Sequence, residues 1–150
     1  MPVKLVLQQC ESAQLTLPDG PVVTVGRGVV VFVCFTSPVT EENVKKSAKT
    51  CLSVKLSEDP ASGKRGSVTS ISGDVLIVPQ ATLGGKLKGN SVQYHGNVRR
   101  DEGEEMYRLF CDEMRAVVGA GSVVEGVYGA RQVLSTVTNG PFSHVIEIGD

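Results

Sequence analysis

Two short stretches in the second half of the chain hold the side chains that could take part in hydrolysis. Ser143 and His144 are adjacent, a nucleophile next to a base in sequence. They belong to "FSHVIEI", which reads as a strand, and successive strand side chains point to opposite faces, so the two cannot pair as nucleophile and base. His144 is expected at the surface or against a partner. In "VPQATL", Gln80 and Thr82 alternate on what reads as one strand face. A polar pair there either closes a hydrogen bond on itself or lines a pocket, and the spacing leaves both open. Pro79 marks an edge or bulge, where backbone N–H groups are left for a ligand. In "TNGPFSH", Asn139-Gly140 is a hairpin signal that asks for positive φ at both residues, and Pro141 removes a ladder N–H just where the strand should restart. Such a proline belongs on an edge, at a bulge, or where something outside the sheet must touch.

Other catalytic apparatus is missing from the sequence. There is no G-x-S-x-G, no P-loop, no G-x-G-x-x-G at a strand-to-helix junction and no H-E-x-x-H. The acids concentrate at helix starts, where the helix dipole favours them without any catalytic role.

The elements that must position these residues follow from periodicity. "VKLVLQQC" and "AQLTL" alternate, and "LPDGP" before "VVTVG" is a turn, so the chain is expected to open as a β-meander. "GVVVFVCF" reads as a strand buried on both faces. "TEENVKKSAKTCLSV" is an amphipathic helix with Thr40 as N-cap and Val44, Ala48, Cys51 and Leu52 inward. A hairpin in "VKLSEDPASGKRGSV" precedes the apolar strand "GDVLIVPQATL". Gly84 to Arg100 has no periodicity and reads as a long basic loop, and long loops in compact domains are usually functional or disordered. A second helix in "DEGEEMYRLFCDEMRAVVGAG" turns Met106, Leu109, Phe110 and Val117 inward, with Gly119 as its stop. "VVEGVYGARQVLSTVT" and "FSHVIEI" close the chain as strands. The order β-β-α-β-β-α-β-β predicts a single α+β domain over residues 1–150, with two helices on a curled antiparallel sheet or barrel-like core.

Composition narrows the classes. Apolar residues are 41% of the chain and aromatics 5%, with no Trp, so the core must be built from Val, Leu and Ile. A net charge of −1 supplies no global field for nucleic acid, so any such contact must be a local patch. Cys10, Cys34, Cys51 and Cys111 lie far apart inside apolar patterns and read as buried reduced thiols, with neither metal nor disulfide expected. No apolar run reaches the ~20 residues of a membrane span, and a soluble cytoplasmic protein is expected.

"PQATL" (79–83) and "TNGPFS" (138–143), in this order and spacing, resemble the D-aminoacyl-tRNA deacylases, whose two signatures read SQFTL and N-x-GP-[VF]-T. The likeness runs along nearly the whole chain, through the Gln8-Gln9 pair that ends the first strand, "GRGVVVFV" and "GVYGARQV". The resemblance implies a homodimer with active sites at the interface, each completed by the partner's Gly-Pro, and it gives Pro141 its purpose. It further implies hydrolysis of the ester between a wrongly attached D-amino acid, such as D-tyrosine, and the terminal adenosine of tRNA. That is a translation proofreading activity that leans on the RNA's own 2′-hydroxyl and takes no cofactor. Backbone N–H groups across Gln80, Ala81, Thr82 and Leu83 would stabilise the oxyanion. Gly140 and Pro141 would select chirality, and Gln9, Pro79, Asn139, Phe142 and Arg131 would support the pocket. Lys86, Lys88, Arg99 and Arg100 would meet tRNA phosphates.

The chain departs from the family pattern at Gln9, Pro79 and Ala81, in the thinner basic segment "KLKGNSVQYHG", and at Arg131. These departures resemble the branch found as animal tRNA deacylases, in which a trans Gly-Pro admits L-alanine mischarged on threonine tRNA. Two further readings stay open: a binder of tRNA ends without turnover, and a β-rich dimer whose Gln80 and Thr82 merely satisfy each other.

Overall fold

A computed structural model describes residues 1–118 and 122–149. The strands are β1 (Val3–Cys10), β2 (Ser12–Thr16), β3 (Val22–Val25), β4 (Gly28–Phe35), β5 (Ser57–Glu58), β6 (Arg65–Gly66), β7 (Asp74–Pro79), β8 (Lys86–Lys88), β9 (Ser91–Gln93), β10 (Val123–Glu125), β11 (Val133–Val137) and β12 (Ser143–Ile148). Helix α1 (Glu41–Ser53) follows β4, and α2 (Arg100–Val117) follows β9.

The main sheet runs β10-β7-β4-β1-β12, and a smaller sheet, β11-β2-β3, packs on one face of it. The inward rows Val3, Leu5 and Leu7 of β1 and Val29, Val31, Val33 and Phe35 of β4 meet the two helices. On the other face Val30, Leu76 and Val78 meet Ala13, Leu15 and Val25 of the second sheet. Strand β4 therefore reads as a continuous apolar run, as a strand covered on both sides must. Thr40 caps α1 with a full capping box: its hydroxyl accepts from Asn43 N–H, and the Asn43 side chain accepts from Thr40 N–H, both at 3.1 Å.

Several expectations need correction. The sheet is mixed, because β4 pairs with β7 and β7 with β10 in parallel, and the described residues form no closed barrel. A helix inserted between two neighbouring strands returns the chain to the same end of the sheet, so the second strand must run parallel to the first. The opening is not a meander either. Strand β1 pairs with β4 and β12, while β2 turns into the second sheet with β3 and β11. The loop predicted from Gly84 to Arg100 contains the short β8–β9 hairpin. In α2, Val117 is exposed, and Tyr107, Phe110, Cys111 and Met114 form the buried stripe. Gly119 lies outside the described residues.

Polar clamps fix two strand ends. Asp74 at the start of β7 accepts hydrogen bonds from Gly26 N–H (2.8 Å) and from the Ser122 hydroxyl (2.9 Å). Gly28, directly beside it, has no room for a Cβ, which would overlap the Asp74 carbonyl oxygen. The Glu125 carboxylate on β10 accepts from Arg108 and Arg115 of α2, each at 2.6 Å. Burial alone would raise the Glu125 carboxyl, but the two guanidinium hydrogen bonds outweigh it and hold it below its ordinary range.

A carboxyl depressed in the folded state contributes stability above its unfolded pKa and loses that contribution as pH falls through the folded value. Glu125→Gln is therefore expected to lower stability at neutral pH. Its deficit against the native protein should shrink as pH falls below about 4. Urea titrations of both proteins across that range measure the difference.

Candidate active site

Pro79 ends β7, and as the chain leaves the sheet it winds into one 3-10 turn, Ala81–Gly84, with Gln80 at its N-cap. Gln80 and Thr82 are thus not alternate residues of a strand. Pro79 has no N–H to extend the ladder, and the chain departs just after the Gln80 N–H has donated to Val33 carbonyl (2.8 Å). The polar pair does close on itself: Gln80 Nε2 donates to Thr82 Oγ1 at 2.6 Å. The same residues also line a cavity of about 390 Å³, so both options left open by the sequence are realised together.

That cavity lies at the C-terminal ends of β4 and β7. Its walls include Cys34, Phe35, Gln80, Thr82, Asn97 and Arg100, with Tyr128 and Gly129 opposite. Of the four amides from Gln80 to Leu83, two are engaged, since Gln80 N–H binds Val33 carbonyl and Leu83 N–H binds Gln80 carbonyl at 3.2 Å. The N–H groups of Ala81 and Thr82 begin the 3-10 turn, where no intrahelical acceptor exists and no side chain caps them. Two neighbouring unpaired amides at a cavity wall can stabilise negative charge on a reacting oxygen.

Beneath the turn, Asn97 Nδ2 donates to Ala81 carbonyl at 2.9 Å, and the Cys34 thiol lies 3.6 Å from the same oxygen. Gly84 makes room for this packing, because a Cβ there would overlap Asn97 Oδ1 and lie 3.2 Å from Cys34 Sγ. Burial pushes the Cys34 thiol up, only partly offset by a backbone hydrogen bond at Gly84 and by Lys4, so the sulfur is a neutral packing atom rather than a thiolate nucleophile. All four cysteines are buried and unpaired, as expected. Across the cavity, Gly129 has φ +75° and lies against the Arg100 guanidinium, where a Cβ would approach to 2.8 Å.

The second motif lies elsewhere in the chain. Asn139, Gly140, Pro141 and Phe142 line a separate recess of about 260 Å³ with Gln9 and Arg65. Gln9 holds this loop in place: its Nε2 donates to Asn139 carbonyl (2.6 Å), its N–H to Phe142 carbonyl (3.1 Å), and its own carbonyl accepts from the Thr138 hydroxyl (2.7 Å). The Arg65 guanidinium lies 4.2 Å above the Phe142 ring, which meets His144 edge-on at 4.5 Å. His144 is half-buried, and its Nδ1 has no hydrogen-bond partner among the described residues. Gly140 has φ +114°, but Asn139 does not share the positive φ, so the turn is not the mirror-image type expected of Asn-Gly. Pro141 disfavours the ψ near 0° that the mirror-image turn requires of Gly140. The Gly140–Pro141 bond is trans, and among the described residues only Ser37–Pro38 is cis.

Of the remaining candidates, Arg100 faces the cavity, whereas Leu83 and Arg131 are not part of its lining. Arg99 is exposed beside Asp101 at 3.6 Å. Lys86 and Lys88 project from the exposed β8–β9 hairpin.

A family model described as D-Tyr-tRNA(Tyr) deacylase matches residues 6–147. The chain belongs to this deacylase family. Its relatives include the D-aminoacyl-tRNA deacylase 2 of Homo sapiens, 46% identical over 96% of this chain and 94% of that protein. The protein of the same name from Danio rerio is 44% identical over 98% and 99%. A solved structure titled as a probable eukaryotic D-amino acid tRNA deacylase superposes with a TM-score of 0.86 at 30% identity, covering 97% of this chain and 99% of the other. Another, titled c-Myc DNA unwinding element binding protein, gives 0.87 at 26% identity over 96% and 97%.

Sequence reasoning missed Asn97 and the wall formed by Tyr128 and Gly129. Asn97 sits in an aperiodic stretch with nothing to mark it. Tyr128 and Gly129 were visible only as part of the "GVYGARQV" likeness.

Gly84→Ala tests the packing beneath the turn. The added methyl must displace the Asn97 amide, and overpacking of this kind costs about 1–3 kcal/mol. The expected result is a lower urea midpoint with an unchanged slope.

Proposed function

We propose that this protein is an aminoacyl-tRNA deacylase that proofreads translation by hydrolysing the ester between a D-amino acid and the 3′-terminal adenosine of tRNA. One observation carries the reading: Ala81 and Thr82, whose amides have no hydrogen-bond partner among the described residues, line a cavity that contains no nucleophile–base pair. Such a site can hold an ester carbonyl and favour its oxyanion, but has no protein nucleophile to offer. The attacking group then comes from water or from the substrate's own 2′-hydroxyl, as the family resemblance implies. The match to a deacylase family over residues 6–147 supports the same chemistry. In this reading the Gln80–Thr82 contact holds the turn's shape, and Arg100, Lys86, Lys88 and Arg99 approach the acceptor-end phosphates. A net charge of −1 does not favour duplex DNA as the ligand.

The active form is a homodimer in which Gly140 and Pro141 of one protomer complete the cavity of the other. Three features support this. The Gly-Pro loop does not line the 390 Å³ cavity of its own chain. That loop is rigidly held yet presents Pro141 to the outside. Val133 and Val145, on the edge strands of the two sheets, are 68% and 77% exposed, apolar side chains that a second protomer would cover. Buried reduced thiols and a tRNA substrate support a cytoplasmic location. Among the described residues no helix is long and apolar enough to cross a membrane.

A second reading shares the chemistry and differs in substrate. The trans Gly140–Pro141 bond and the relatives named D-aminoacyl-tRNA deacylase 2 favour acceptance of L-alanine mischarged on threonine tRNA.

The test is turnover of D-tyrosyl-tRNA and L-alanyl-tRNA for threonine, side by side, at substoichiometric protein. Hydrolysis of the D ester supports the principal reading, and hydrolysis of the L-alanyl ester alone supports the second. Protection of both esters would replace the enzyme with a tRNA-end binder. Thr82→Ala is expected to keep activity within about tenfold, because the side chain leaves the amide in place, whereas loss of a true nucleophile costs about 10⁴-fold or more. Sedimentation should give a species of twice 15.9 kDa.

A further inference from the structure

We infer that Asn97 is a positioning residue for the reaction, acting through the Ala81–Thr82 peptide; the inference rests on the deacylase reading above. The C=O and N–H of a trans peptide point in opposite directions from one rigid plane. Fixing the Ala81 carbonyl therefore fixes the direction of the Thr82 N–H. Asn97 Nδ2 does so with a 2.9 Å hydrogen bond on the side of the turn away from that amide. The Cys34 thiol, 3.6 Å from the same carbonyl, is a weaker second donor.

Asn97 is itself held from three sides. Its N–H donates to Tyr94 carbonyl at 3.1 Å, its backbone bridges to Thr36 beside β4, and its Oδ1 occupies the space left by the missing Cβ of Gly84. Only the amide nitrogen can satisfy a carbonyl, so the orientation of the side chain is set by its partner. One end of the peptide plane is thus anchored to β4 through a side chain, while the other carries an amide with no acceptor. The backbone hydrogen bonds that close the turn, Leu83 N–H to Gln80 carbonyl and Gly85 N–H to Thr82 carbonyl, act on the neighbouring peptide planes and leave the Ala81 carbonyl to Asn97. The Ala81 N–H belongs to the preceding peptide plane, whose carbonyl is that of Gln80 and accepts from Leu83 N–H at 3.2 Å, so Asn97 acts on one of the two donors and not the other.

An oxyanion donor acts mainly in the transition state, so loss of its aim should lower kcat and leave KM in place. The test compares Asn97→Ala and Asn97→Asp with the native protein on whichever ester the native protein turns over. Asn97→Asp keeps the volume and removes the donor, which separates aiming from packing. Binding is measured in parallel to two adenosine-linked aminoacyl probes, a planar amide and a tetrahedral phosphonate. Both variants are expected to lose between about tenfold and about a hundredfold in kcat, less than the ~10²–10³ of deleting an oxyanion donor outright. Phosphonate binding should weaken in parallel, with KM and amide binding within about threefold of native. A rise in KM with unchanged kcat, or equal weakening of both probes, would make Asn97 a ground-state contact and overturn the inference. So would native-like kcat in Asn97→Asp, since the space alone would then suffice. A native protein that hydrolyses neither ester and binds neither probe overturns the deacylase reading itself, a result distinct from native turnover that is insensitive to Asn97.

Discussion

Strand β4 has to be apolar on both faces, because helices cover one side of it and the second sheet covers the other. This double burial organises everything around it. A strand so placed cannot be an edge, so it must have hydrogen-bonded neighbours on both sides, and it finds them in β1, antiparallel, and β7, parallel. The parallel partner is available only because α1 carries the chain back across the sheet. Gly28 gives the closeness at the start of this pair: any side chain there would strike the backbone of Asp74. The end of the same pair, where Val33 faces Pro79, is where the ladder stops and the cavity begins.

The cavity follows from that ending. A parallel sheet leaves its unsatisfied backbone groups at the strand ends, and in open sheets of this kind ligands bind outside the carboxyl ends of the strands. Here the chain leaves β7 through a proline and a single 3-10 turn, whose first amides have no intrahelical acceptor and no side-chain cap. The wall opposite comes from Tyr128 and Gly129, in the segment after β10, and this segment is tied to α2 by the Tyr107 hydroxyl, which donates to Gly126 carbonyl at 2.7 Å. Removing that hydroxyl would leave a buried carbonyl short of a donor, so the wall and the helix are coupled through this bond as well as through the Tyr107–Tyr128 ring contact at 5.5 Å. The pocket is therefore supported from three separate parts of the chain, and its backbone groups are held by structure that also stabilises the core.

What could be read from the sequence divides along physical lines. Elements that bury a periodic stripe were legible: β4 by its unbroken apolar run, α1 by its capping residue and spacing, and α2 by its acids and its Phe110 face. Gly140 and Pro141 stand out because glycine and proline constrain the backbone locally, and Gln80 and Thr82 because a polar pair interrupts an apolar run. What failed depended on partners distant in sequence. Whether β1 pairs with β2 or with β4 is decided by burial across the whole sheet, and the alternating pattern of β1 is the same in either case. The strand drawn through Gln80 and Thr82 failed because alternation over so few residues does not distinguish a strand from one turn of 3-10 helix. Asn97 was invisible because its role lies in one hydrogen bond across the fold, to a carbonyl whose own residue, Ala81, has no side-chain chemistry at all.

A site built this way places unusual demands on its backbone. When a side chain does the chemistry, its rotamer can adjust to the substrate, but an amide moves only if the turn that holds it moves. The two donors at Ala81 and Thr82 belong to successive peptide planes joined at one Cα, so they converge on a single point only for a narrow range of backbone angles. The structure restricts that range from both ends. Val33 carbonyl fixes the Gln80 amide before the turn, and Gly85 N–H closes the turn on Thr82 carbonyl at 3.1 Å after it. Between these two bonds lies a segment that water would otherwise solvate freely, and each donor left unpaired there is a cost accepted in the resting state. The arrangement is worth that cost only if a charged oxygen forms between the two amides during turnover, when a hydrogen bond to an ionised acceptor is roughly twice as strong as one to a neutral carbonyl. Selectivity then need not come from the chemistry at all. It can be set by whatever surface closes over the bound ester, and the trans Gly140–Pro141 turn clamped by Gln9 is a firmly held, outward-facing loop of the kind such a surface needs.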